Sequence, residues 1–332
     1  MHTEKRIFSG VQPTGNLHLG NYLGAIVNWV KLQADYAEPI YGIMDLHAIT
    51  VPQSPESLRN ATYEVAASLL ACGIDAKKSI IFAQSSVSAH AELGWILGCN
   101  TPLGWLNRMT QFKDKAGKNQ DKSSLGLYAY PVLMSADVLA YKATHVPVGD
   151  DQKQHVELMR DIAGAFNRNY NIEYFPLPEP VIQPNAARIM SLRDGRKKMS
   201  KSDESDYSRI NLTDDAETIE LKIRKAKSDA IVGISYDTEN RPEVTNLINI
   251  YSALSDISKE KIIAGFADKN FSDFKKSLAE VAISKLSPIT LKMREYMQDR
   301  GYLEQILREG ADRANEIAAK NLAEIKQIVG FL

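Results

Sequence analysis

The chain has 332 residues, 44% of them hydrophobic and 24% charged, so it can bury a sizeable core without disulfide or metal staples. Its formal net charge of −1 excludes a global basic field for nucleic acid, though not a local basic face. The only two cysteines, Cys72 and Cys99, have no CxxC spacing, which argues against a disulfide scaffold or a cysteine zinc site and for a reducing compartment; each ends an apolar helical pattern and reads as a buried thiol.

The first residues lead directly into an apolar strand, with neither a signal peptide's apolar region nor a transit peptide's Arg/Ser-rich helix. No apolar run is long enough to span a membrane, so the expected location is the cytoplasm. Ile7 to Val11 reads as a short buried strand, Gln12-Pro13-Thr14-Gly15 as a turn. His18-Leu19-Gly20-Asn21 then opens a helix with Leu19, Leu23, Ile26 and Val30 at helical spacing. Ile40 to Met44 is the next strand, ending in the polar Asp45-Leu46-His47. Ser54-Pro55-Glu56 starts a helix with a capping serine and proline at the first helical position, and Gly73 stops it. Ser79 to Ala83 is a third strand and Ala89 to Cys99 a further helix. This alternation predicts an α/β fold with a Rossmann-like, doubly wound parallel sheet, which binds ligands beyond the C-terminal ends of its strands.

Residues 111–126 are polar and basic and read as a surface loop or lid. Tyr128 to Tyr141 is an apolar helix interrupted by Asp137. His145 to Val148 is a strand followed by Gly149-Asp150-Asp151-Gln152 and another helix. Pro176, Pro178, Pro180 and Pro184 mark an irregular connection to Ala187-Arg188-Ile189-Met190. After Ser202 helical patterns dominate, through Asp214 to Asp229, Val244 to Ser255, Phe271 to Ser287, Pro288 to Arg300 and Tyr302 to Phe331. The expected organisation is a catalytic domain over 1–205, completed by the C-terminal helix 302–331, and a second, smaller helical domain over 206–300.

Lys198-Met199-Ser200-Lys201-Ser202 follows the turn signal Asp194-Gly195 and reads as an exposed, mobile loop. Its ammonium and hydroxyl donors suit a polyphosphate; a solvated charge run is the plain alternative. His18 to Asn21, placed between the first strand and the first helix, would offer helix amides and the dipole to an anion. Gly149-Asp150-Asp151 is either a helix cap or a pair of carboxylates for a ribose. Lys222, Arg224, Lys225 and Lys227 form either a phosphate-facing strip or a solvated helix face.

Together these segments resemble the class I aminoacyl-tRNA synthetases. His18-Leu-Gly-Asn21 looks like their HIGH signature, with Asn21 in place of the second histidine, and Lys198 to Ser202 matches KMSKS at every position. Phe8-Ser-Gly10, Gln12-Pro-Thr14, His47-Ala-Ile-Thr50, Arg108-Met-Thr-Gln-Phe112, Asp137, Val146 to His155 and Ala187 to Met190 extend the likeness, over nearly the whole chain, to the bacterial tryptophanyl group. The resemblance implies ATP-dependent activation of L-tryptophan, with Mg²⁺ held mainly by the ATP phosphates, transfer to tRNA, and a homodimer, with the helical domain on the anticodon side. It places ATP against Gln12, Pro13, Thr14, Gly20, Asn21, Gly149, Asp150, Asp151, Ile189, Lys198, Met199, Ser200, Lys201 and Ser202, with Gln111 and Lys115 as further ATP-side residues. It assigns catalysis to His18, Asn21, Lys198, Ser200, Lys201 and Ser202. It places tryptophan against Phe8, His47, Tyr130, Met134, Asp137, Val146, Val148 and Gln152. Indole N–H is a donor only, which fits a buried Asp137 as acceptor. The alternatives are a tyrosyl enzyme, whose family usually has Tyr and Asp where this chain has Phe8 and Gln12, and a non-catalytic nucleotide- or RNA-binding paralogue.

Overall fold

The structure is a computed structural model that describes residues 5–109, 124–149, 152–182, 188–267 and 269–332. Strands β1 (Phe8–Val11), β2 (Ile40–Ile43) and β3 (Ile80–Ala83) pair in parallel, with Phe8 opposite Ile40 and Ile40 opposite Ile80. Strands β4 (His145–Val148) and β5 (Glu179–Ile182) form a second parallel pair. A parallel bridge between Ile7 and His145 joins the two, helped by the amides of Thr144 and His145 donating to the Arg6 carbonyl. The spatial order is therefore β3-β2-β1-β4-β5, and the switch in strand order falls between β1 and β4, where a doubly wound sheet opens a crevice for ligand.

The strand β5 corrects the expected irregular connection. Pro180 lies within it, paired with Val146. A proline has no ladder N–H to give, which an edge strand tolerates and a central one does not.

The helices on either face follow from capping and apolar spacing. The first helical stretch runs through α1 (Leu19–Asn21), a π-helical turn (Tyr22–Ile26) and α2 (Val27–Leu32). Then come α3 (Asp45–Ala48) and α4 (Pro55–Ala71), the latter capped by Ser54 accepting from the Ser57 amide at 3.2 Å. Helices α5 (Ala89–Gly98), α6 (Leu103–Asn107), α7 (Leu125–Leu139) and α8 (Lys153–Asn169) follow. The C-terminal part contributes α9 (Ala216–Lys225), α10 (Pro242–Ser255), α11 (Lys259–Gly265), α12 (Phe271–Gln298) and α13 (Arg300–Val329). Pro288 does not divide the segment from Phe271 onward, as expected from the sequence, but sits inside the 28-residue α12. Burial of Leu286, Ile289, Thr290 and Met293 around it outweighs the local cost of an interior proline, about 3 kcal/mol.

The two faces of the sheet bury different cores, because alternate strand residues point to opposite sides. Tyr41, Ile43 and Ile81 join a core with α4, α9, α10 and α12, whereas Ile40, Ile80 and Phe82 join one with α5, α7, α8 and α13. The C-terminal helix α13 lies along β3. A Cβ on Gly310 would stand 1.8 Å from the Ile81 carbonyl oxygen, so only glycine permits this approach. Arg313 fixes the docking by donating to the Ala76 and Ser79 carbonyls and to Glu38.

The two thiols differ from expectation. Cys72 is half-buried and burial pushes its thiol up to about 12, whereas Cys99, at the end of α5, is exposed; both are free.

Candidate active site

At the switch point the C-terminal ends of β1 and β2 and the inner faces of α7 and α8 enclose a cavity of about 210 Å³. Phe8, His47, Tyr130, Met134, Asp137, Val146, Val148 and Gln152 all line it, along with Gln12. Apolar wall also comes from Met44, Val156 and Met159, which the sequence did not single out. Met44 lies across the neighbouring glycines of β1 and β2, since a Cβ on Gly10 or Gly42 would come within 2.6 or 2.7 Å of its sulfur. Phe8 stacks on the buried Tyr141 at 5.5 Å between centroids.

Asp137 is 1% exposed. Its Oδ2 accepts from His47 Nε2 at 2.6 Å, and its Oδ1 accepts from Gln84 Nε2 at 2.6 Å and from His90 Nδ1 at 2.7 Å. Burial alone would raise the carboxyl. The charges and hydrogen bonds of His47, then of His90, outweigh it and hold Asp137 at about 2, so the group is a carboxylate and an acceptor at neutral pH. No local motif singles out Gln84 or His90. The available signal was a histidine on the apolar face of α5, in register with the buried Leu93 and Leu97.

The second part of the site is the junction of His18 to Asn21 with the loop 198–202. His18 Nδ1 accepts from the Gly20 amide at 3.1 Å, and Asn21 Oδ1 accepts from the His18 amide at 3.1 Å, a reciprocal cap. The remaining first-turn amides are also used, Leu19 donating to the Ile210 carbonyl and Asn21 and Tyr22 to that of His18. This corrects the expectation that helix amides face an anion. What the turn offers instead is side chains, the Asn21 amide and the outward nitrogen of His18. Burial, reinforced by the positive charges of Lys201, Arg209 and Lys198, pushes His18 down to about 4. It is neutral at pH 7, and with Nδ1 accepting, Nε2 carries the proton and donates.

The loop is less exposed than its composition implies. Met199 is 3% exposed, part of the first core, and packs close to Gly20. Its amide donates to the Ile189 carbonyl at 3.0 Å. The apolar residue between the lysines is thus the anchor that seats them, since a backbone fixed at Met199 projects Lys198 and Lys201 beside the turn after β1. Lys201 Nζ donates to the Gly15 carbonyl at 3.0 Å. Burial lowers its ammonium to about 8 even though the Glu64 charge acts the other way. Ser200 and Ser202 hydrogen-bond through their hydroxyls at 2.9 Å.

Pro13 and Ile189 are buried close by, and Gly149, at the end of β4, accepts from the Gln152 amide at 3.0 Å. Asp150, Asp151, Gln111 and Lys115 lie outside the described residues. The basic strip loses Lys222. Lys222 is 2% exposed and donates to Asp206 and Asp214 at 2.6 Å each, so its ammonium is buried and paired and is not available to phosphate. Lys227 pairs with Glu243 at 2.8 Å.

A parallel 3-2-1-4-5 sheet with an amino-acid-sized cavity at its switch point is the architecture of a doubly wound, nucleotide-binding α/β protein. The family model for "tRNA synthetases class I (W and Y)" matches residues 1–287, and the chain belongs to that family of aminoacyl-tRNA synthetases. It is 55% identical over 329 residues to the tryptophan–tRNA ligase of Rickettsia conorii, covering 99% of each chain. Among solved structures it is similar to the tryptophanyl-tRNA synthetase of Mycoplasma pneumoniae, at 32% identity and TM-score 0.89, covering 99% of each. It is also similar to that of Campylobacter jejuni complexed with ADP and tryptophan, at 33% identity and TM-score 0.84, covering 98% of this chain and 100% of the other.

Proposed function

We propose that the chain activates L-tryptophan with ATP and transfers it to the 3′ end of tRNA(Trp). The observation that carries the substrate is Asp137, a buried carboxylate on the wall of an otherwise largely apolar cavity. A large ring with one N–H matches both properties. A ring lacking that donor would leave the remaining acceptor position of this buried carboxylate unfilled, which costs about 1–3 kcal/mol.

In the first step an oxygen of the tryptophan carboxylate attacks the α-phosphorus of ATP in line. The bond from that phosphorus to the bridging oxygen breaks, and pyrophosphate leaves with both electrons. Lys198 and Lys201 balance charge that grows on the leaving group, and His18 Nε2–H and the Asn21 amide donate to phosphate oxygens. Gln12, Pro13, Thr14, Gly20, Gly149, Asp150, Asp151, Ile189, Met199, Ser200 and Ser202 complete the proposed ATP site. A Mg²⁺ held by the ATP phosphates would neutralise charge there. In the second step a hydroxyl of the terminal adenosine of tRNA attacks the aminoacyl carbonyl and AMP leaves.

A homodimer is proposed on the apolar surface of α5, α6 and α7. Trp95 is 75% exposed, Leu103 67% and Leu125 79%. The Tyr128 hydroxyl reaches the Leu103 carbonyl and Ser124 reaches that of Thr50, which gathers Ile49 and Val51 into the same surface. Such a patch on a folded chain marks an interaction site. The helical segment 206–300 is proposed as the anticodon-side domain, with 1–205 and 302–331 forming the catalytic one. Among the described residues no helix is long and apolar enough to cross a membrane, and the cytoplasm is the proposed compartment.

The test is ATP–pyrophosphate exchange with each amino acid in turn. Tryptophan alone should support exchange, and Asp137→Asn should lose most of the tryptophan kcat/KM. Exchange with tyrosine instead, or with no amino acid, or an Asp137→Asn variant near wild type, would refute the proposal.

A further inference from the structure

The carboxylate of Asp137 is held from behind by groups that do not line the cavity. Gln84, His90 and Tyr141 are fully buried and absent from its walls, whereas Asp137 and His47 are on them. Each supporting group is fixed in turn. The Leu46 amide donates to Gln84 Oε1 at 3.1 Å, which directs the Gln84 amino group at Asp137. His90 Nδ1 donates to Asp137 and its Nε2 lies 2.8 Å from the Tyr141 hydroxyl.

A carboxylate offers about four lone-pair positions, two on each oxygen. Gln84 and His90 occupy both positions of Oδ1, and His47 takes one of Oδ2. Among the described residues one acceptor position is left, on Oδ2. We propose that Gln84 and His90 are positioning residues for substrate selection, which saturate Oδ1 and so commit Oδ2 to a ring N–H of the bound amino acid. This rests on the reading of the cavity as a tryptophan site and adds to it the groups that make one carboxylate oxygen selective. Without them Asp137 can rotate about its side chain or recruit a water, and a ring with a donor loses its advantage over one without. Met44 and Phe8 would still grip the ring body, so apolar affinity should persist.

The experiment compares L-tryptophan with its isostere β-(1-benzothiophen-3-yl)-L-alanine, in which sulfur replaces N–H, in ATP–pyrophosphate exchange. The enzymes are wild type, His90→Leu, His90→Gln and Gln84→Met. In His90→Leu and Gln84→Met the tryptophan kcat/KM should fall about ten- to a hundredfold, the range for losing a hydrogen bond to a charged group. The loss should be in KM, with the kcat/KM for the isostere changing much less, so the preference for tryptophan shrinks. His90→Gln, which keeps an N–H donor, should recover part of the preference. Equal losses on both substrates, or an unchanged preference, would overturn the inference. Were His90→Leu to misfold, Gln84→Met and His90→Gln carry the same comparison. A wild-type enzyme indifferent to the two substrates would instead overturn the tryptophan reading and the inference with it.

Discussion

Lys201 gives the enzyme a pH dependence whose sign follows from its surroundings. Burial disfavours its charged form and lowers it to about 8, against the Glu64 charge, while its Nζ stays hydrogen-bonded to the Gly15 carbonyl. A group with that value is about nine-tenths charged at pH 7, half charged at pH 8 and about one-tenth charged at pH 9. Because kcat/KM reports the free enzyme, kcat/KM for ATP should fall about tenfold between pH 7 and pH 9 if the ammonium is what meets the phosphates. The assay is ATP–pyrophosphate exchange at saturating tryptophan and Mg²⁺, with ATP well below its KM. Lys201→Arg keeps its charge throughout this range and should lose the alkaline limb whatever its absolute rate. Glu64→Gln removes the charge that holds the lysine up, and should move the limb to lower pH. A flat wild-type profile, or a limb that persists in Lys201→Arg, would refute the role given to this lysine.

Gly310→Ala should destabilise the chain by about 3 kcal/mol or more, the upper range for overpacking, because its Cβ would meet the Ile81 carbonyl at 1.8 Å. A thermal melt should show a drop of several degrees, and an unchanged Tm would show that α13 sits differently. Lys222→Met should cost about 3 kcal/mol by leaving the largely buried Asp214 without its counter-charge, with little change in the KM for tRNA. A variant of wild-type Tm with a raised KM for tRNA would return Lys222 to the phosphate-facing role that its burial now denies.

The pattern of apolar runs and caps carried most of the fold. Four of the five strands, the Ser54 cap and the helical texture after Ser202 are written in local sequence. What was not legible depended on tertiary context. Pro180 and Pro288 both read as breakers, yet one sits at a sheet edge and the other in a helix whose neighbours are buried. The eight residues assigned to tryptophan do meet in one cavity, because they lie at strand ends or on apolar helix faces that the fold turns inward. Gln84 and His90 were missed because a polar residue betrays burial only through its partner, and Asp137 stands 53 and 47 positions away from them. Lys222 drops out of the basic strip for the same reason in reverse, since Asp206 and Asp214 neutralise it from outside its own helix.

The docking of α13 has a consequence during synthesis. Ala76, just before β3, waits for Arg313, 237 positions downstream. At about 5–20 residues per second, a ribosome takes on the order of 10–50 s to supply that helix. During this time the Ile-Ile-Phe-Ala strand lacks the cover that Gly310 and its neighbours later press against it. An apolar edge of this kind is a template for pairing with other chains, so the nascent protein should carry an open edge from the emergence of β3 until α13 is made.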